Sequence, residues 1–503
     1  MASRYQARSA LMSTAEDIRG DALVQDEVRI FRLNICLRCL CATPSSWNQG
    51  ATPGFRSGPD SVSPQHRHPM TTLPTFRTLA AAVIAGTTIF AVLPSATTGQ
   101  DVDQEIRALA QHPVVRRAVD LLEETDARTI SDLVELTQIP APPFMEDRRG
   151  ARFLAMLQEL GVDSAWVDEV GNVIGLRRGS GSGTVLALTG HLDTVFPEGT
   201  DVSVQERGDT LFAPGIGDDT RGLAAVLAVL RVMNEAGVRT DSDILFVGTV
   251  GEEGLGDLRG VKHLFRDGGP RIDAFISIDG TGDTGVTHQG LGSHRYRVTV
   301  RGPGGHSWGA FGLANPLHAL GRAIDYFDTS ADAVTRSGPR TSYNVGRIGG
   351  GTSVNSIPFE AWMEVDMRSE SPESLTKIDE VFQRSVRRAI DEANVSRRRG
   401  EELTVDLELI GDRPSGEIAA EAALVRRAAA ATRHIGLEPR LGRGSTDSNI
   451  PISKGIPAVT IGGGGVAGEA HSPGEWFINR NGARGIQRIL LITLAQAGVT
   501  PVG

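Results

Sequence analysis

Downstream of about residue 100 the chain alternates short apolar runs with longer stretches of helical apolar spacing. The runs Val170–Leu176, Thr184–Thr189, Ile244–Val250, Ala274–Ile278 and Ala458–Ile461 read as strands. Apolar and charged residues alternate at helical spacing over Val102–Asp132, where Val114, Val115, Val119, Leu121 and Leu122 supply one face. The turn Ile139–Pro143 interrupts that pattern, and further helices are predicted around Arg149–Leu160 and over Arg221–Ala236. Strands alternating with helices imply an α/β fold, with a parallel or mixed sheet covered by helices on both faces.

The pattern changes near Ser293. Arg295–Val300 alternates polar and apolar residues, as a half-buried antiparallel strand does. A helix at Pro316–Phe327, strands at Thr341–Ile348 and Ala361–Met367, a helix at Pro372–Ala393 and a strand at Leu403–Ile410 follow. Four strands and two helices in this order predict a compact α+β insert. The first rhythm resumes from Arg413. The organisation expected is therefore a catalytic domain in two pieces, 100–291 and 412–503, interrupted by an inserted domain at 292–411.

Candidate chemistry collects where the apolar runs end. Thr184–Thr189 leads to His191 and Asp193; Ile244–Val250 leads to Glu252 and Glu253; Ala274–Ile278 leads to Asp279. Ala458–Ile461 leads through a glycine loop to His471, and Asp218-Asp219 lies in the glycine-flanked turn before the apolar helix. In open α/β sheets ligands bind at the carboxyl ends of the strands, so these segments aim at one rim. Carboxylate oxygens mixed with imidazole suit Zn²⁺, Co²⁺ or Mn²⁺, and the set reads as a two-metal hydrolase. Each piece alone also has a plain alternative. Asp is a favoured helix cap, which would account for Asp218-Asp219, and Glu252-Glu253 could be a solvated turn.

Composition narrows the class. The net charge is −10 and no basic stripe with interleaved aromatics is present, which argues against a nucleic-acid partner. Met70–Gln100 has the layout of a secretory signal peptide: Arg77, then the apolar stretch Leu79–Leu93, then small residues around Ala96 and Gly99. Export to the periplasm or the outside is expected, with an uncleaved membrane anchor as the alternative. The apolar stretch is short of the ~20 residues that span a bilayer. A signal starting at Met70 makes residues 1–69 a mis-extended or non-structured N-terminus. All three cysteines (Cys36, Cys39, Cys41) lie upstream of Met70, so the expected mature chain has none, as suits an oxidising compartment.

The ordered motifs resemble the zinc metallopeptidase and deacylase family that contains carboxypeptidase G, peptidase T, aminoacylase, acetylornithine deacetylase and succinyl-diaminopimelate desuccinylase. The likeness runs over roughly residues 115–500. It implies a zinc-exopeptidase-like mixed sheet with a ferredoxin-like lid and dimerisation domain inserted in it. It also implies two divalent metal ions, zinc above all. His191, Asp218 and Asp279 would hold one ion; Asp218, Glu253 and His471 the other, with Asp218 bridging. Asp193 would orient His191, Asp219 would follow a cis peptide bond, and Glu252 would be the general base.

Within the insert, Gly302–Ser307 matches the family's glycine–histidine motif, so His306 would polarise the substrate carbonyl or stabilise the oxyanion, often from the partner subunit of a homodimer. Asn355 and Arg368 match positions that bind the substrate carboxylate in relatives; Arg368 could equally be an ordinary surface arginine. Asp279 stands where peptidase members of the family tend to have Asp and deacylases Glu, which favours an exopeptidase acting on short peptides over an N-acyl-amino-acid amidohydrolase. A non-catalytic metal-binding homologue is the remaining reading. Thr220 and Arg221 depart from the Lys and Gly common after the paired acids.

Overall fold

The computed structural model describes residues 99–181 and 183–500. The signal segment at 70–99, apart from its last residue, the three cysteines and the N-terminal 69 residues lie outside the described residues. Among the described residues no helix is long and apolar enough to cross a membrane.

The central sheet runs Ser164–Val167, Val173–Arg177, Asp243–Thr249, Val185–His191, Ala274–Ile278, Ala458–Ile461, Gly285–Gly290 and Gly416–Glu417, with Arg440–Gly444 pairing Gly285–Gly290 beside this path. Its middle is parallel: Val185–His191 pairs Asp243–Thr249 and Ala274–Ile278, which pairs Ala458–Ile461. Those strands therefore present their carboxyl ends at one rim. Their inner residues are buried throughout, as continuous Val/Ile/Leu runs demand. The helix Thr220–Glu235 packs on this sheet and buries every residue from Thr220 to Met233. A helix that is mostly apolar around its circumference belongs in the interior, and its buried Arg221 and Arg231 are hydrogen-bonded there.

The amphipathic stretch 102–132 is three helices rather than one: Gly99–Gln111, Pro113–Glu124 and Asp126–Thr137. Pro113 lacks the N–H that a continuous helix would use, and so sits at a helix start. Sequence periodicity did not register the edge strand Ser164–Val167, which is largely exposed and so carries little apolar signal. A small four-stranded sheet, Val466–Gly468, Trp476–Ile478, Thr210–Phe212 and Gln205–Arg207, was likewise not anticipated. Its strands are three residues long, too short for a readable alternation.

The insert forms a separate antiparallel sheet in the order Thr341–Gly350, Glu360–Ser369, Gly292–Arg301, Thr404–Arg413. Helices Pro316–Thr335 and Pro372–Ser396 cover it, giving β-α-β-β-α-β connectivity of ferredoxin-like type. It has its own core, including Val298, Phe327, Met363, Met367 and Phe382. The two chain crossings lie side by side, since Arg413 pairs in register with Ser293. Asn449 Nδ2 clasps both crossings, donating to the carbonyls of Leu291 (2.8 Å) and Pro414 (3.0 Å).

His294, just inside the insert, pairs with Asp379 at 2.9 Å and Asp412 at 3.5 Å, and these partners raise its pKa to about 9. A histidine whose folded pKa is raised contributes stability in full below its unfolded pKa, near 6.5, and loses it as pH rises through the folded value. The thermal midpoint should therefore fall between about pH 6.5 and 9 more in the parent than in His294→Gln. Parallel melting curves for the two proteins across that window would refute the coupling.

Candidate metal centre

His191, Glu252, Glu253 and Asp279 are placed at or just past strand ends, Asp218 and Asp219 in the turn before the helix Thr220–Glu235, and His471 in the segment after Val466–Gly468. His191 closes the strand Val185–His191, with its backbone N–H donating to Asp219 Oδ2 at 3.0 Å. Its Nε2 lies 3.0 Å from Asp218 Oδ1, and its Nδ1 faces the carbonyl of Asp193 at 3.0 Å. His471 Nε2 lies 3.2 Å from Asp218 Oδ2 and 3.0 Å from Glu253 Oε1. His471 stands in the left-handed backbone region, φ 63°, which a non-glycine residue keeps only when its surroundings over-determine it.

Three groups of potential ligand atoms result, each within 4.8 Å of one another: His191, Asp218 and Asp279; Asp218, Glu253 and His471; and His191, Glu252 and Glu253. The first two share Asp218, whose two oxygens face different histidines. Imidazole and carboxylate donors at these separations fit a pair of Zn²⁺-like ions bridged by one carboxylate. Glu252, in the third group, is buried.

The electrostatics are those of an anionic cluster balanced by imidazole. Burial opposes charge on His191, but Asp218, Asp219 and Asp193 outweigh it and hold its pKa well above 6.5. The Asp218 and Glu253 carboxylates raise His471 to about 10. Burial acts against ionisation of Asp218 too, yet the two histidines bring its pKa well below the usual carboxylate range. Burial, reinforced by Asp218, pushes Asp279 well up. Burial lifts Glu252 to about 8, against the pull of Arg413 and His191.

The adjacent acids divide their duties. Asp218 faces the histidines, while Asp219 caps the helix through Gly222 N–H (3.1 Å) and also accepts from Gly280 N–H (3.2 Å). Capping and site chemistry thus both operate in this turn, across the cis peptide bond Asp218-Asp219. Asp193 meets His191 chiefly through its main chain. Its carbonyl, not its carboxylate, meets His191 Nδ1; Oδ1 is 3.7 Å away. The carboxylate instead accepts from the backbone N–H groups of Glu252 (3.0 Å) and Glu253 (2.8 Å). These buried donors have no ladder partner beyond the strand end, and so recruit it.

The insert residues are not in the cluster. His306 is exposed, its Nδ1 accepting from Trp308 N–H (3.2 Å) and Gly309 N–H (3.3 Å). Asn355 lies beside it, its carbonyl accepting from Ser307 N–H at 2.8 Å. Arg368 Nε donates to Asp366 at 2.8 Å. Among the described residues none of the three bonds to the ligand cluster of the same chain.

Sequence reasoning missed several supporting residues. Glu475, buried, accepts from the N–H groups of Gly215 (2.9 Å), Gly217 (2.8 Å) and Asp218 (3.0 Å), and so shapes the turn that presents Asp218. Asp447 is buried, accepts from Thr249 Oγ1 at 2.5 Å and is pushed up by burial to about 6; its Oδ1 has no hydrogen-bond partner among the described residues. Arg413 pairs with Glu252 at 3.1 Å.

Arg221, the departure noted in the sequence, has a structural account. It is fully buried and donates to the carbonyls of Gly463 (2.8 Å), Gly464 (3.2 Å) and Gly482 (3.2 Å). It therefore staples the glycine loop on the way to His471. Gly464 is required there: it has φ +79°, and a Cβ would meet the Cα of Gly485 at 2.8 Å. Arg221→Met is expected to destabilise the fold by about 1–3 kcal/mol, because buried carbonyls lose their donor. It should also weaken the metal site that includes His471. An unchanged urea midpoint would sink this account.

The chain matches the model of the peptidase family M20/M25/M40 over residues 187–494. It belongs to this family. As an M20-family protein it is a metal-dependent hydrolase. A succinyl-diaminopimelate desuccinylase of Alkalilimnicola ehrlichii is 29% identical over 328 residues, 61% of this chain and 83% of that protein. Carboxypeptidase G2 of Pseudomonas sp. is 28% identical over 39% of this chain and 47% of that protein. The solved structure of aminopeptidase PepT from Bacillus cereus superposes with a TM-score of 0.58 at 22% identity, covering 74% of this chain and 99% of that one. That likeness is one of fold.

Proposed function

We propose that the protein is an exported exopeptidase of dipeptidase or tripeptidase type. It would hydrolyse peptide bonds of short peptides with two divalent ions, zinc in the first instance. The observation that carries this reading is the shared carboxylate of Asp218, which belongs to two ligand triads at once, with the buried carboxyl of Glu252 beside them. Bound in those triads, two ions would acidify a water and polarise the scissile carbonyl. His191, Asp218 and Asp279 would hold one, and Asp218, Glu253 and His471 the other. Glu252 would take the proton from water at its carboxylate and return it to the leaving amine.

The cleft that receives the substrate would be completed by the insert. Asn355 and Arg368 would bind its carboxylate, and His306 would stabilise the oxyanion across a homodimer. An arrangement in trans is supported by the exposure of His306 and of its neighbours Trp308, Phe311 and Val354, since clustered exposed apolar groups mark interaction surfaces. Export rests on the Met70–Gln100 segment of the sequence.

The second reading is an N-acyl-amino-acid amidohydrolase, favoured by the match to a desuccinylase. Free di- and tripeptides and their N-acetylated counterparts, assayed with Zn²⁺, Co²⁺ or Mn²⁺, separate the two. Cleavage confined to free-amine peptides is expected. Preference for the acylated compounds would overturn the peptidase reading.

A further inference from the structure

The loop carrying Glu252 and Glu253 is gripped by the root of the inserted domain. Arg413 ends the strand Thr404–Arg413, where the chain leaves the insert, and its side chain is buried. Its Nη1 donates to Glu252 Oε1 at 3.1 Å and to Ser445 Oγ at 3.1 Å. Its Nη2 donates to the backbone carbonyl of the same Glu252. One planar fork thus fixes both the carboxylate and the peptide of a single residue. Two more bonds join the root of the insert to the turn that follows. Arg295 Nη1 donates to Gly254 O at 2.8 Å, and Asp412 N–H donates to Asp257 Oδ1 at 2.9 Å. Asp257 and Leu258 both stand in the left-handed region, φ 51° and 58°, so this turn keeps its shape only under such restraint.

We infer that Arg413 is a positioning residue: it sets the Glu252 carboxylate in the cleft and makes that setting depend on how the inserted domain is seated. The inference rests on Glu252 acting as the base. The insert's last strand runs to Arg413, two residues past the boundary at 411 read from the sequence, so the guanidinium belongs by chain to the insert and by contact to the catalytic loop. A rotation of the insert about its root carries the guanidinium, and Glu252 moves with it, so domain seating and placement of the base are one event. Lysine can replace only part of this, because an ammonium lacks the fixed fork that holds two acceptors together.

The test compares Arg413→Met and Arg413→Lys in the full metal-loaded chain, with Glu252→Gln alongside. Arg413→Met should lower kcat by about 10–100-fold, the cost of a misplacement of about 1 Å, with KM and metal content close to the parent's. Amide exchange over 252–257 should quicken, while the strand Ala274–Ile278 stays protected. Arg413→Lys should recover part of kcat. A kcat for Arg413→Met close to the parent's overturns the positioning role, and unchanged exchange overturns the link to the insert. Equal losses in both variants, accompanied by loss of metal, would make Arg413 a structural residue and overturn the inference. Should Glu252→Gln remain active, the assignment of the base fails instead, and the exchange data still report whether Arg413 anchors the loop.

Discussion

Glu252→Gln is expected to lower kcat by about 10²–10⁴-fold, the range that a positioned general base contributes. The metal content should stay at the parent's level. Glu252 lies beside the two triads that share Asp218 rather than within either, so the ligands of both remain. Its carboxyl is buried and carries a pKa raised to about 8, with burial outweighing the Arg413 guanidinium. A carboxyl in that position can take a proton and give it back near neutral pH, which glutamine cannot do. Glutamine still offers Arg413 an acceptor oxygen, so the loop should stay in place. The check is kcat on the best substrate of the peptide panel, beside metal analysis of the same sample. Near-parental turnover with full metal content would remove Glu252 from the mechanism.

Asp218→Asn should abolish activity by a different route. Asp218 Oδ1 faces His191 Nε2 at 3.0 Å and Oδ2 faces His471 Nε2 at 3.2 Å. An amide offers one acceptor oxygen and no charge, so neither site keeps its anion. Loss of an outer-shell partner costs about 10–100-fold in metal affinity, and loss of a bridging ligand should exceed that at both sites. His471→Ala removes a ligand of one triad only, and should leave one ion per chain. Metal analysis after dialysis distinguishes the two variants. Retention of both ions by Asp218→Asn would mean that the carboxylate does not bridge.

The strand ends and their acids were legible because burial on both sheet faces writes itself as unbroken apolar runs. A polar residue just past such a run, as at His191 or Glu252, needs a reason to be there. The insert was legible for the opposite reason: Arg295–Val300 alternates, so its sheet has a wet face. Arg413, Glu475 and Asp447 were not legible. Each acts on a segment far away in sequence, Glu475 on the turn before Asp218 and Arg413 on Glu252. No local periodicity encodes such a pairing, and an isolated Arg or Glu looks like any surface charge. Asp193 shows the finer limit. Its spacing from His191 suggests a carboxylate–imidazole contact, but the carboxylate goes to the two unpaired N–H groups of the neighbouring strand end.

The clasp formed by Asn449 has an evolutionary and practical corollary. The carbonyls of Leu291 and Pro414 sit on one amide nitrogen, so the two ends of the catalytic chain already touch where the insert departs. With consecutive Cα atoms about 3.8 Å apart, a linker of only about two or three residues could rejoin them. Among the described residues, every member of the three candidate ligand groups lies outside the excised stretch. The insert is thus a cassette: its removal would leave the body its own central sheet and its candidate ligands, while taking away the Arg413 fork that holds Glu252.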